Sequence, residues 1–108
     1  MLFSVKSSEI FDKQLDALLD IIEEDKPSAA ISFLDNLEDA ISLIVQNPKI
    51  CRKSIYSDKE IVRDLIFKGY TITYYINEAE KNIILLVIFK GLSPQKASNN
   101  IDKLLENI

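Results

Sequence analysis

At 108 residues the chain has the size of one domain and lies well below the length at which cores divide. Hydrophobic residues make up 47% and charged residues 28%, which excludes a disordered or fibrous chain, and a net charge of −4 excludes a surface that is basic throughout, so any contact with a polyanion must be local. With no histidine and the lone cysteine Cys51, the composition also excludes serine–histidine and cysteine–histidine nucleophile systems, an internal disulfide and the usual zinc ligand sets, so neither metal nor cofactor is expected.

The chain opens with a weakly alternating stretch, residues 2–6, read as a short strand. Met1 to Lys6 turns polar too soon to form the apolar core of a signal peptide or a membrane span, so a cytoplasmic protein without membrane contact is expected. Ser7-Ser8 is suited to capping a helix. From there Phe11, Leu15, Leu18, Leu19 and Ile22 recur at three- and four-residue spacing among Asp12, Lys13, Asp16, Asp20 and Glu23, which predicts an amphipathic helix with an acidic, wet outer stripe.

Pro27 is tolerated only in the first turn of a new helix, so the second helix begins there. Ala30, Phe33, Leu34, Leu37, Ala40, Ile41, Ile44 and Val45 keep the period until Asn47-Pro48 stops it. The short connection predicts two antiparallel helices joined by a tight corner. Residues 49–59 then lose all apolar period, and with Lys49, Arg52, Lys53 and Lys59 they read as a basic, exposed loop in which Cys51 is simply a small residue.

Two β-rich runs follow, Ile61 to Phe67 and Tyr70 to Ile76, separated by Lys68-Gly69 as a two-residue hairpin turn. In the second run Ile72, Tyr74 and Ile76 point one way while Thr71, Thr73 and Tyr75 point the other. After the polar turn Asn77 to Asn82, the aliphatic run Ile83 to Phe89 has strand length and reads as a strand covered on both faces. Ser93-Pro94 is read as a cap with a first-turn proline, and Ala97, Ile101, Leu104, Leu105 and Ile108 form one apolar stripe, a third amphipathic helix over 93–108. With no repeat, low-complexity tract or linker, residues 1–108 read as a single domain. The predicted fold is α+β, in the order β-α-α-β-β-β-α. A helical hairpin packs on a small, mainly antiparallel four-stranded sheet, whose other face is left for the third helix or for something else.

This order of elements resembles the RelE/ParE toxins of bacterial type II toxin–antitoxin systems over roughly residues 2–90. The resemblance rests on the opening apolar strand, on Ala29-Ala30-Ile31-Ser32-Phe33 near the start of the second helix and on Leu43 through Asn47-Pro48 at its end. It rests further on Val62-Arg63-Asp64-Leu65 followed by Gly69-Tyr70-Thr71-Ile72-Thr73-Tyr74, and on the strand Ile83 to Phe89. It implies a toxin, of a kind associated with plasmid stabilisation, wrapped by the C-terminal part of a cognate antitoxin. Similar proteins divide between ParE-like members, which poison DNA gyrase, and RelE-like members, which cut mRNA in the ribosomal A site.

Ribonuclease chemistry needs a base for the 2′-hydroxyl, an acid for the leaving oxygen and cations for the developing charge. RelE-like members that employ a histidine near the end of the last strand have Lys90 in the corresponding neighbourhood here. The cations that could contribute are Lys49, Arg52, Lys53, Arg63, Lys68 and Lys90. Arg63 matches the family's arginine at the head of the second strand, here Ile61 to Phe67, and is the first candidate for clamping a phosphate or a target. Its structural reading is a strand arginine paired with carboxylates. Tyr74 is a candidate for hydrogen bonding at the groove, against a packing role in the core. Lys49, Arg52 and Lys53 either touch an anionic partner or form a solvated loop.

The absent histidine, the acidic balance and the sparse cations favour a ParE-like gyrase poison, which needs binding surface rather than acid–base groups, over an enzyme. The ribosome-dependent mRNA endoribonuclease is the alternative. A non-toxic module that only binds an antitoxin or a homologue is a further alternative, because residues 91–108 extend beyond the point where many ParE-like chains end. If the stripe of Ala97, Ile101, Leu104 and Leu105 folds back on the sheet, it would occupy the antitoxin groove; otherwise it completes the core or makes a homodimer contact.

Overall fold

A computed structural model describes residues 2–91 and 94–106 of the chain. The elements run β1 (Ser4–Ser7), α1 (Glu9–Asp25), α2 (Pro27–Gln46), β2 (Arg52–Lys53), β3 (Val62–Phe67), β4 (Tyr70–Asn77), β5 (Asn82–Phe89) and α3 (Pro94–Glu106). The cap expected at Ser93 and the last stripe position, Ile108, lie outside the described residues. Among the described residues no helix is long and apolar enough to cross a membrane.

The helical hairpin forms where the spacing predicts it. Ser8 Oγ accepts the Phe11 N–H at 2.9 Å and starts α1. Lys26 is extended, at φ −157° and ψ 110°, and turns the chain directly into α2 with Pro27 in its first turn. Phe11 from α1, with Ala30, Phe33, Leu37 and Ile44 from α2, is buried by the sheet. Phe33 stands edge-on to Phe67 and Tyr70, with ring centroids 5.2 and 5.9 Å away.

The sheet has five strands rather than four, in the order β1-β5-β4-β3-β2, with β1 parallel to β5 and every other neighbour antiparallel. The added strand lies inside the stretch expected to be a loop: Arg52 and Lys53 pair with Asp64 and Arg63. Two residues carry no readable period, and their pairing follows from the contacts of β3 rather than from propensity. At the β3–β4 turn both Lys68 (φ +50°) and Gly69 (φ +84°) are left-handed, the geometry a two-residue hairpin requires.

Alternation along β3 and β4 sends Leu65, Phe67, Ile72, Tyr74 and Ile76 to the hairpin side, while Val62, Asp64, Thr73 and Tyr75 face the other way. On that second side α3 folds back over the sheet. Ala97 and Ile101 are buried, and Ile101 packs with Val62, Leu86 and Val87 in a second core that Tyr75, Ile84, Phe89, Leu104 and Leu105 border. The helix thus completes a core.

Strand β5 departs from strict alternation. Thr73 pairs with Val87 and Tyr74 with Leu85, so Leu86 has no partner on β4 and forms a β-bulge. In consequence Leu86 and Val87 both face α3, whereas Ile83, Leu85 and Ile88 face the helical hairpin.

Two substitutions at the β3–β4 turn separate backbone strain from packing. A Cβ on Gly69 would meet only the Lys90 side chain, at 3.8 Å, so Gly69→Ala is expected to cost about 1 kcal/mol through its positive φ alone, while Lys68→Gly is neutral or slightly stabilising. Urea denaturation of both variants checks this.

Candidate functional site

Three of the expected site residues, Arg52, Arg63 and Tyr74, meet around the segment between α2 and β3, which is gripped from both faces of the sheet by two adjacent residues of β3. Neighbours in a strand point to opposite faces, so a consecutive arginine and aspartate can hold one loop from two sides. On the hairpin side Arg63 is largely buried, with 12% of its side chain exposed. Its Nε donates to the Glu60 carbonyl at 2.9 Å and its Nη1 to the Cys51 carbonyl at 3.1 Å. Its Nη2 lies 3.9 Å from the exposed Glu60 carboxylate, which adds little.

On the opposite side Asp64 is fully buried and accepts three donors. Thr73 Oγ1 reaches Oδ1 at 2.8 Å, and Oδ2 accepts the Ile55 N–H at 3.1 Å and Arg52 Nη2 at 3.3 Å. A buried carboxylate needs such partners to offset lost hydration. The loop is tied further by Ser54 N–H to the Val62 carbonyl and by Ser54 Oγ, which accepts from Tyr56 N–H.

Tyr74, the cross-strand partner of Arg63, is wholly buried. Its hydroxyl donates to the Pro48 carbonyl at 2.7 Å and anchors the end of α2 to the sheet. Burial pushes the phenol pKa well above its ordinary value; the neighbouring Cys51 adds to this and the Arg63 cation opposes it in part. A phenol held so firmly neutral inside the core is an anchor and presents no surface to a target.

The remaining candidates lie outside this network. Lys49 pairs with Glu78 at 3.4 Å, both about half exposed. Lys90 lies over the Tyr70 ring, 5.4 Å from its centroid, at the tip of the β3–β4 turn. Lys53 and Lys68 are exposed. Ile55, whose N–H binds Asp64, and Ile66, two residues further along β3 on the Asp64 side, are exposed by 66% and 55%. Thus Arg63 and Asp64 hold the loop, Lys49, Lys53 and Ile55 are exposed on it, and Lys68 and Lys90 lie at the far end of β3 and β4.

Charge is divided between the layers. Residues 9–46, the helical hairpin, carry ten carboxylates against two lysines, whereas the rest of the chain carries eleven cations against seven carboxylates. The sheet and its loop are therefore net basic on an acidic protein, a local field the overall pI conceals.

Asp64 was not among the expected site residues, although its signal is visible: both members of a charged pair inside an apolar strand must find partners, one on each face. The segment 49–59 read as featureless because its order comes from residues outside it.

The model of the ParE toxin of the type II toxin–antitoxin system parDE matches residues 5–92. Among curated protein sequences none matches the chain. Among solved structures, a double-arginine mutant of the E. coli toxin RelE in the free state superposes with a TM-score of 0.66 at 13% identity, covering 100% of this chain and 99% of that one. A chromosomal ParDE toxin–antitoxin system from P. aeruginosa gives 0.64 at 18% identity, covering 82% and 96%. The mutant E. coli RelE bound to a peptide of the antitoxin RelBc gives 0.60 at 12% identity, covering 92% and 94%. At these identities the likeness shows the fold.

Two measurements test the loop's anchors. Asp64→Ala leaves Thr73 and the Ile55 N–H without an acceptor and is expected to cost about 2–4 kcal/mol in urea denaturation, against about 1 kcal/mol or less for the half-exposed Arg52→Ala. The Tyr74 phenol holds its proton more tightly folded than unfolded, so its contribution is fully present below the ordinary phenol pKa of about 10 and declines as pH rises above it. Tyr74→Phe, though less stable at neutral pH by about 1 kcal/mol, should lack this component of the alkaline loss when both proteins are titrated in parallel.

Proposed function

The chain belongs to the ParE toxin family of type II toxin–antitoxin systems, and on that premise we propose that it inhibits growth in the cytoplasm by poisoning DNA gyrase and is silenced by a cognate antitoxin. The observation that carries this reading is the use made of the charged and phenolic groups: Arg63 spends its hydrogen bonds on loop carbonyls, Arg52 pairs with the buried Asp64, and Tyr74 is sealed in the core. What remains outside on the basic layer are the exposed side chains of Lys49, Lys53, Lys90, Ile55 and Ile66, suited to binding a macromolecular target rather than to moving protons. In this reading Lys49, Lys53 and Lys90 contact the target or acidic residues of the antitoxin, and Arg52, Arg63 and Tyr74 act by shaping that surface.

The antitoxin partner is supported by the P. aeruginosa ParDE system and the RelE–RelBc peptide complex among the similar structures. We place its binding segment on the sheet face that α3 covers, so that it competes with Ala97, Ile101, Leu104 and Leu105.

One observation favours the ribosome-dependent mRNA ribonuclease as a second reading. The family model ends at residue 92, before α3, whereas free RelE superposes over the whole chain, α3 included.

Inducible expression in a sensitive bacterium, with DNA-damage signalling and protein synthesis followed together, separates the readings. Damage signalling with translation initially intact is the expected result; an immediate translation block with cut messages would establish the ribonuclease, and no growth defect would leave a non-toxic antitoxin-binding module. Lys53→Glu should weaken toxicity by about tenfold or more in inducer titration while changing stability by no more than about 0.5 kcal/mol, since Lys53 is exposed.

A further inference from the structure

We propose that α1 holds α3 in its seat from the opposite side of the sheet, through the backbone of the β5 bulge, with Gln14 as the residue that sets the coupling. This concerns the fold alone and stands whichever target the toxin takes.

Strand β1 flanks β5 only from Asn82 to Leu85. At Ser8 the chain leaves the sheet, so the same edge of β5 has no strand beside it from Leu86 onward. Residues of α1 and its cap supply the missing partners. Ser8 N–H donates to the Leu85 carbonyl at 2.9 Å, Ser8 Oγ donates to the Leu86 carbonyl at 2.7 Å, and Gln14 Oε1 accepts the Ile88 N–H at 2.9 Å. Ser8 is committed twice, because its hydroxyl oxygen also caps α1.

The last of these bonds depends on the bulge. Before it, Leu85 directs its carbonyl to the β1 edge; one extra residue shifts the phase, so Ile88 rather than Val87 turns its N–H to that edge. The same phase shift sends Val87 as well as Leu86 to α3 and keeps Ile88 on the hairpin side. In an unbulged strand Ile88 would face α3, Val87 would face the hairpin, and the Ile88 N–H would turn away from Gln14. Gln14 therefore stabilises the register in which Leu86 and Val87 form the seat for the fully buried Ile101.

The test is site-resolved hydrogen exchange on the full chain. Gln14→Leu keeps bulk and removes the acceptor; it should speed exchange of α3 amides 97–105 and of Ile88 by about five- to tenfold, with α2 amides 30–44 changing less than about twofold. Gln14→Glu, which keeps a carboxylate oxygen for the Ile88 N–H, should retain native protection in α3. Unchanged α3 protection in Gln14→Leu would overturn the proposal, as would a parallel rise in α2 and α3, or loss of protection in Gln14→Glu equal to that in Gln14→Leu. Gln14→Ala serves as a second truncation, and failure of both truncations to fold would also count against a role confined to α3.

Discussion

A strand covered on both faces cannot leave backbone polar groups unpaired, and β5 meets that requirement along one edge with two different kinds of partner. From Asn82 to Leu85 the partner is β1; beyond it, the cap and first turns of α1 take over. The bulge at Leu86 lies at this handover. The helical hairpin on one face, α3 on the other and the parallel pairing at the edge all refer to it, because β5 is the element that each of them touches. A bulge is a local irregularity, yet here it decides which aliphatic side chains belong to which core.

The second constraint acts at the other end of the sheet. The segment from Pro48 to Ile61 packs Cys51, Tyr56 and Ile61 against the two cores, and its backbone is held by Tyr74, Arg63 and Asp64 from the strands beneath. Residue types that usually suggest catalysis or phosphate binding are here occupied with backbone carbonyls and amides. Arginine suits this work, because its planar fork satisfies two carbonyls at fixed angles where a lysine would supply a single mobile charge. Lys49, Lys53 and Ile55, exposed on the loop, owe their placement to that buried scaffold.

Charge is segregated between the layers of this acidic protein. The helical hairpin carries the excess of carboxylates and lies behind the sheet, while the strands and the loop are net positive and α3 is neutral. Because salt screens fields beyond about 8–10 Å, a partner docking on the sheet side responds chiefly to the basic layer. Net charge alone is therefore a weak guide to what this chain binds, and the gyrase and ribosome readings divide on which macromolecule fits that layer.

By itself the sequence determined the three helices, four of the five strands, the Lys68-Gly69 turn and the toxin family, since each depends on local periodicity, turn chemistry or the order of short segments. Phe11, Phe33, Leu37 and Ile44 repeat at helical spacing, and the inward side of β4 is read from alternation at Ile72, Tyr74 and Ile76. The tertiary structure alone decided β2, the role of Asp64, the engagement of Arg63 with carbonyls, the burial of Tyr74 and the docking of α3 on the sheet. It also decided the facing of Val87 and Ile88, which strict alternation assigns wrongly. Each of these depends on which backbone groups lie opposite one another across the sheet, and a seven-residue aliphatic run holds no record of where its hydrogen-bonding partners end.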